Sequence, residues 1–188
     1  MFAVPLGDGA ELRPLESWQA EEFLAHMDRA RDLVDEHIQL ARAVTDLESA
    51  RALLTSYAQK QAADTGRLYG IWLGPTLVGG VLFRVFDAGT GNCEVGCWLE
   101  PAATGRGLVT RAAGVLIDWA VGERGMERVE WLVSSENEAS IRVARRLGMT
   151  RDGVLRRNYP YRGVRHDTEV WSVLAPEWRA RAVRPMER

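Results

Sequence analysis

The apolar residues change their spacing repeatedly along the chain, and those changes divide it into elements. Residues 10–15 alternate like a short strand, and Pro14 points to an edge position or a strand end. Ser17 offers a cap for a following helix whose apolar side is Trp18, Phe23, Leu24 and Met27. Residues 29–42 are more polar, and Leu33, Val34 and His37 at helical spacing predict a second helix. Thr45-Asp46-Leu47-Glu48 reads as a capping box. It opens a helix to about Ala63 that carries Leu47, Ala50, Leu54, Tyr57 and Ala58 on one stripe.

The spacing then shortens. Residues 67–73, 77–87 and 93–99 read as three strands joined by Gly74-Pro75-Thr76 and by the turn at 88–92. They predict an antiparallel meander, ended by Pro101. Helical spacing returns at Val109, Ala112, Ala113, Leu116, Trp119 and Ala120, and Gly122 and Gly125 mark a loop. Residues 128–133 form the next strand, so strand, helix and strand make a crossover that joins parallel neighbours. Ser135 with Glu138 makes another capping box, for a helix with Ile141, Ala144 and Leu147 inward and Gly148 as its stop. Residues 150–158 and 167–174 read as strands joined by a loop that includes Tyr159-Pro160-Tyr161-Arg162-Gly163. Residues 176–188 read as a short helix or a frayed tail, and no internal repeat or linker interrupts one domain over 1–188.

Composition narrows the class. The 188 residues allow a real core, with 46% hydrophobic and 27% charged residues, as in ordinary globular proteins. A formal net charge of −2 and no basic block give no footprint for nucleic acid. Lys60 is the only lysine among the 24 Lys and Arg residues, a bias that implies no chemistry by itself. Cys93 and Cys97 stand four apart on a strand, too far for a disulfide and without histidines for zinc, so they read as small buried thiols and no metal is expected. No apolar run approaches the ~20 residues that span a bilayer. Met1-Phe2-Ala3-Val4-Pro5 lacks the parts of a signal peptide, so a cytoplasmic protein without a membrane partner is the expectation.

The strongest chemical signal is Thr104-Gly105-Arg106-Gly107-Leu108-Val109-Thr110, immediately before the helical spacing resumes. Glycines let the backbone approach a ligand closely, and a helix start presents unpaired N–H groups at the positive end of the dipole. Arg106 and the amides of Gly107 to Thr110 suit a diphosphate.

The order of elements and four segments together resemble the GNAT superfamily of N-acetyltransferases, and within it the RimJ/RimL branch. The segments are Glu94-Val95-Gly96-Cys97-Trp98-Leu99, Gly105 to Thr110, Asn137-Glu138-Ala139-Ser140 through Arg146-Leu147-Gly148-Met149, and Asp152-Gly153-Val154-Leu155-Arg156 with Gly163 and His166-Asp167. The resemblance covers nearly the whole chain. It departs from the family pattern at Thr104, where Gln or Arg is usual, at Val109, at Cys97, where an aromatic is usual, and at Met149.

The resemblance implies an α+β fold with a central, mixed, mostly antiparallel sheet of about seven strands, flanking helices and a V-shaped splay between strands 4 and 5. It implies acetyl-CoA as co-substrate, with the pantetheine arm along the backbone of Cys97, Trp98 and Leu99. Cofactor contacts then extend over Thr104, Gly105, Arg106, Gly107, Leu108, Val109 and Thr110, and to Asn137, Ser140 and Arg146. Glu94 is the candidate base and Tyr159 its rival, while Ser140 is the donor to the departing thiolate. The acceptor cleft is expected between residues 18–42 and the 159–166 loop, where Asp28, Asp32, Asp35 and Glu36 either draw a cationic acceptor or form a solvated face. His166 and Asp167 are candidates to orient that loop, and His26 and His37 have no assigned role.

The leading expectation is an N-acetyltransferase acting on a primary amine, a (ribosomal) protein N-terminus first, by a chain that the resemblance implies to be a homodimer. Alternatives are a small amine of polyamine or aminoglycoside type, a succinyl-CoA donor, or a non-catalytic acyl-CoA-binding module. A dinucleotide-binding Rossmann site fits poorly, because three antiparallel strands precede the glycine loop.

Overall fold

The structure is a computed structural model that describes residues 3–182. Its strands are β1 (Val4–Gly7), β2 (Ala10–Pro14), β3 (Arg67–Leu73), β4 (Thr76–Asp87), β5 (Asn92–Leu99), β6 (Arg128–Ser134), β7 (Thr150–Tyr161) and β8 (Val164–Leu174). They form one eight-stranded sheet in the order β1-β2-β3-β4-β5-β6-β8-β7. All neighbours are antiparallel except β5 and β6. Helices α1 (Ala20–Val34), α2 (Leu40–Ala43) and α3 (Leu47–Ala62) pack a core of Phe23, Met27, Leu54, Leu68, Trp72 and Trp98 on one face. On the other, α4 (Leu108–Gly122), α5 (Glu138–Arg146) and α6 (Ala175–Ala182) cover a larger core built around Phe83, Leu116, Ile117 and Trp131. Leu116 and Ile117 are fully buried, and each such side chain contributes about 1.5–3 kcal/mol.

The parallel pair is short. β5 and β6 pair only at Asn92–Arg128, Cys93–Val129 and Glu94–Glu130. Beyond Glu94 they separate, so among the described residues one edge of β5 from Val95 to Leu99 has no strand beside it. This is the expected splay, and α4 and α5 begin just past the separating strand ends.

Several local expectations are corrected. The sheet has an eighth strand, β1, hairpinned to β2 through Gly7-Asp8-Gly9. Pro14 closes β2 beyond Leu12, the last residue that β1 reaches. Ser17 is not a cap: it lies inside a 3-10 turn whose box is made by Glu16 and Gln19. Residues 29–42 are not one helix, since α1 runs unbroken to Val34 and α2 is a separate single turn. The box opening α3 is Asp46 with Ser49, one residue later than expected, because Asp46 takes the extended backbone that a cap needs. The loop expected at 159–163 is largely strand: β7 continues to Tyr161, and only Arg162 and Gly163 turn. Residues 183–188 of the expected tail lie outside the described residues. Cys93 is buried and Cys97 half-buried, both free, with thiols pushed up to about 12 by burial.

Candidate active site

The cradle starts from two backbone angles. Gly105 and Gly107 have φ of 75° and 70°, in the left-handed region that favours glycine. Gly107 is the N-cap of α4 and supplies no side-chain cap, and the first turn holds no acidic residue. The N–H groups of Leu108, Val109 and Thr110 therefore keep an uncompensated positive end. Arg106 is exposed beside them, and Thr104 turns its hydroxyl to the Pro101 carbonyl at 2.8 Å. Backbone donors, one cation and no competing carboxylate in the turn fit a diphosphate.

The free edge of β5 runs from Val95 to Leu99, and β5 packs against α4. Cys97 and Leu99 pack toward α4, whereas Trp98 points into the core beneath α1. Gly80 makes room for it: a Cβ there would stand 2.2 Å from the Trp98 ring. The indole Nε1–H donates to His26 Nε2 at 2.9 Å, and His26 Nδ1 lies 3.3 Å from Glu100 Oε2. Arg29 Nε donates to the same oxygen at 3.0 Å. Since Nε2 accepts, the imidazole proton is on Nδ1 and the ring is neutral. Burial lowers its pKa to about 4. This buried relay ties α1 to the end of β5 and was not legible in the sequence.

Glu94 is the last paired residue before the splay and is buried. Its two carboxylate oxygens accept from Arg84 Nε at 2.7 Å and Nη2 at 2.8 Å. A carboxylate offers about four lone-pair sites, so this fork leaves two open. Tyr57 of α3 feels both charges: burial raises its phenol pKa, Arg84 lowers it and Glu94 raises it. Tyr159 is near the same group, its phenol raised by burial while Gln39 and Arg84 pull it down. It stacks on Tyr161 at 5.6 Å between ring centroids. A phenol so shifted keeps its proton at neutral pH and is not available to take another group's. Arg84 and Tyr57 are the site residues that sequence reasoning missed. Tyr57 had shown only as a stripe residue, and Arg84 gave no motif.

At the start of α5 the cap is Asn137, not Ser135. The Asn137 side chain accepts from the Ser140 amide at 3.0 Å. Ser140 Oγ accepts from the buried Trp131 indole at 2.9 Å. The hydroxyl hydrogen of Ser140 is thereby left to donate elsewhere. Arg146 ends α5, about 12 Å along the axis from Glu138.

The corner between α1 and α2 meets the β7–β8 hairpin. The Tyr161 hydroxyl is 2.6 Å from Asp35 Oδ1 and 2.7 Å from its carbonyl. Arg42 and Arg162 also bind Asp35, at 2.7 Å each. Those partners hold its carboxyl far below the usual range. Asp28 is bound by Arg31. Two of the four acids considered for drawing a cation already have one. His166 contacts Glu136 at 3.1 Å, and Asp167 accepts from the Arg157 amide at 2.7 Å, where β7 bulges.

The family model described as "Acetyltransferase (GNAT) domain" matches residues 10–150. The chain is 29% identical over 170 residues to "Probable N-acetyltransferase YjcK" of Bacillus subtilis (strain 168), covering 88% of this chain and 94% of that protein. Among solved structures, it shares its fold with RimL, the ribosomal L7/L12 alpha-N-protein acetyltransferase in complex with coenzyme A. The TM-score is 0.87 at 18% identity, over 92% of this chain and 97% of that one. It likewise shares its fold with the microcin C7 self immunity acetyltransferase MccE in complex with acetyl-CoA and AMP. There the TM-score is 0.84 at 22% identity, over 90% of this chain and 94% of that one.

Proposed function

The chain belongs to the GNAT acetyltransferase family, and we propose that it moves an acetyl group from acetyl-CoA to the N-terminal amine of a protein. The observation that carries this reading is the juxtaposition of the uncapped α4 start, the free edge of β5 and Glu94 at the fork between them. RimL, whose fold it shares, is named for a protein amine.

Bound acetyl-CoA supplies an electrophilic thioester carbonyl and a thiolate leaving group. Arg106 and the amides of Leu108, Val109 and Thr110 hold its diphosphate by charge-assisted hydrogen bonds. The unpaired N–H groups of β5 near Cys97 act as a preorganised donor to the carbonyl oxygen, a role often worth ~3 kcal/mol. Glu94 takes the proton from the incoming ammonium on a lone pair that Arg84 leaves open, directly or through one water. Ser140 donates a hydrogen bond from its free hydroxyl to the departing sulfur, which takes up the second amine proton as the C–N bond forms and the C–S bond breaks, with Trp131 holding Oγ in place.

Arg84 and Trp131 are thus positioning residues for groups that meet the substrates. Two acids near the α1–α2 corner already bind arginines, which favours a peptide amine over a polycation. Steady-state assays with N-terminal peptides against polyamines and aminoglycosides test the acceptor; no turnover with any peptide rejects it. Glu94→Gln is expected to lower kcat about 10²-fold or more with coenzyme A affinity unchanged. Equal turnover by the variant removes Glu94 as base.

A further inference from the structure

The β1–β2 turn reaches across the fold to the cradle. Gly7, Asp8 and Gly9 all have positive φ, of 82°, 54° and 72°. Aspartate is one of the few side chains tolerated in that region. The turn sends the Asp8 carboxylate to Arg111, with Oδ2 accepting from Nη2 at 3.0 Å. The Asp8 carbonyl lies 3.5 Å from Arg106 Nη2. Arg111 sits four residues into α4 from Gly107, and its amide donates to the Gly107 carbonyl. Its guanidinium folds back over the helix start: Nη1 would be 3.7 Å from a Cβ on Gly107. Arg111 Nε is buried and has no partner among the described residues, and the same holds for Thr110 Oγ1. The mouth of the cradle therefore holds two arginines, unsatisfied donors and a single carboxylate, which arrives from another part of the chain.

We propose that Arg111 is a phosphate-binding residue of the coenzyme A cradle and that Asp8 is its built-in counter-ion, which a phosphate of the ligand must displace or outcompete. The inference rests on the proposed use of coenzyme A. A guanidinium whose side-chain partner among the described residues is one exposed carboxylate exchanges it readily, because the pair is worth little in water. A phosphate brings more charge and can take the remaining N–H groups. Asp8 thus keeps the cations oriented before the ligand arrives and weakens the grip on coenzyme A afterwards, when product has to leave.

The test is calorimetric titration of coenzyme A and of dephospho-coenzyme A into the full chain and its variants at low ionic strength. Arg111→Gln is expected to weaken coenzyme A binding about tenfold, and Arg111→Lys to restore part of it. Asp8→Asn is expected to tighten binding about threefold, a gain that shrinks in high salt and vanishes in the double variant with Arg111→Gln. A loss common to both ligands assigns Arg111 to the diphosphate, and a loss confined to coenzyme A assigns it to the 3′-phosphate. Asp8→Asn binding no tighter, or gaining equally without Arg111, overturns the proposal. Failure of the unaltered chain to bind coenzyme A would instead reject the functional reading. Binding by that chain with Arg111→Gln unaffected rejects only this inference.

Discussion

His26 is neutral because burial outweighs the support that the Glu100 carboxylate gives a second proton. Trp98 donates to Nε2, and Arg29 already binds the Glu100 carboxylate that Nδ1 faces. Burial is the largest cause of its drop from 6.5 to about 4, with Glu100 opposing. The sign follows from linkage. Between those values the unfolded chain binds a proton that the folded chain refuses. Stability is full above pH 6.5 and falls as pH drops toward 4, on the order of 3 kcal/mol over the interval. His26→Gln can keep both contacts, since its amide accepts through Oε1 and donates through Nε2, but it does not titrate. Urea unfolding between pH 7 and 4.5 should show a steep decline for the native chain and a flatter one for the variant. Equal slopes would mean that the imidazole is not held neutral. The strongly shifted carboxyls, Asp35 and Asp64, act below this window, so they do not blur it.

Among the elements, α4 makes the sharpest demand on a single residue. Its cap needs φ near 70°, where any Cβ meets the following carbonyl at about 1–2 kcal/mol. Gly107→Val should therefore distort the helix start, lower coenzyme A affinity tenfold or more and reduce the melting temperature slightly, with Gly107→Ala between. Calorimetry with thermal melts checks this, and unchanged affinity would detach the cradle from the ligand. This requirement is local, which is why the glycine stretch was legible in the sequence, as was the meander with its own period. Other features were not. β1 is four residues with a proline and a glycine, too short to show a period. The caps of α3 and α5 slipped because neighbouring Ser, Thr, Asp and Asn residues compete for one role, and backbone angles decide among them. Pro160 made residues 159–161 look like loop, yet they lie at the far end of a hairpin where an edge strand tolerates proline. Arg84 meets Glu94 across the β4–β5 pair, a cross-strand contact between residues ten apart that no helical or alternating pattern marks. The Trp98–His26 contact joins residues 72 apart, and no local pattern encodes it.

In the whole molecule the splay leaves two half-sheets, β1–β5 and β6–β8, sharing three strand-paired positions at one end. Their open ends are joined elsewhere. Tyr161 of the β7–β8 hairpin donates its hydroxyl hydrogen to Asp35, at the end of α1, and Arg162 binds the same carboxylate. Gln39 reaches the Pro160 carbonyl at 3.4 Å. These contacts hold the helices over one half against the hairpin of the other, across the proposed acceptor cleft. The proposed coenzyme A cradle is on the opposite side of the sheet, with α4. Loosening the tie should therefore act on the acceptor alone. Tyr161→Phe removes one hydrogen bond to a charged group, but the ring can still stack on Tyr159 and lie against Arg42. If about 1 kcal/mol of that bond is expressed in binding, the acceptor KM rises roughly fivefold. The kcat and the coenzyme A dissociation constant stay near their original values. Peptide kinetics with a parallel coenzyme A titration separates the outcomes. A matched loss of coenzyme A affinity would show that the tie supports the fold as a whole, and that the two half-sheets do not divide the substrates between them.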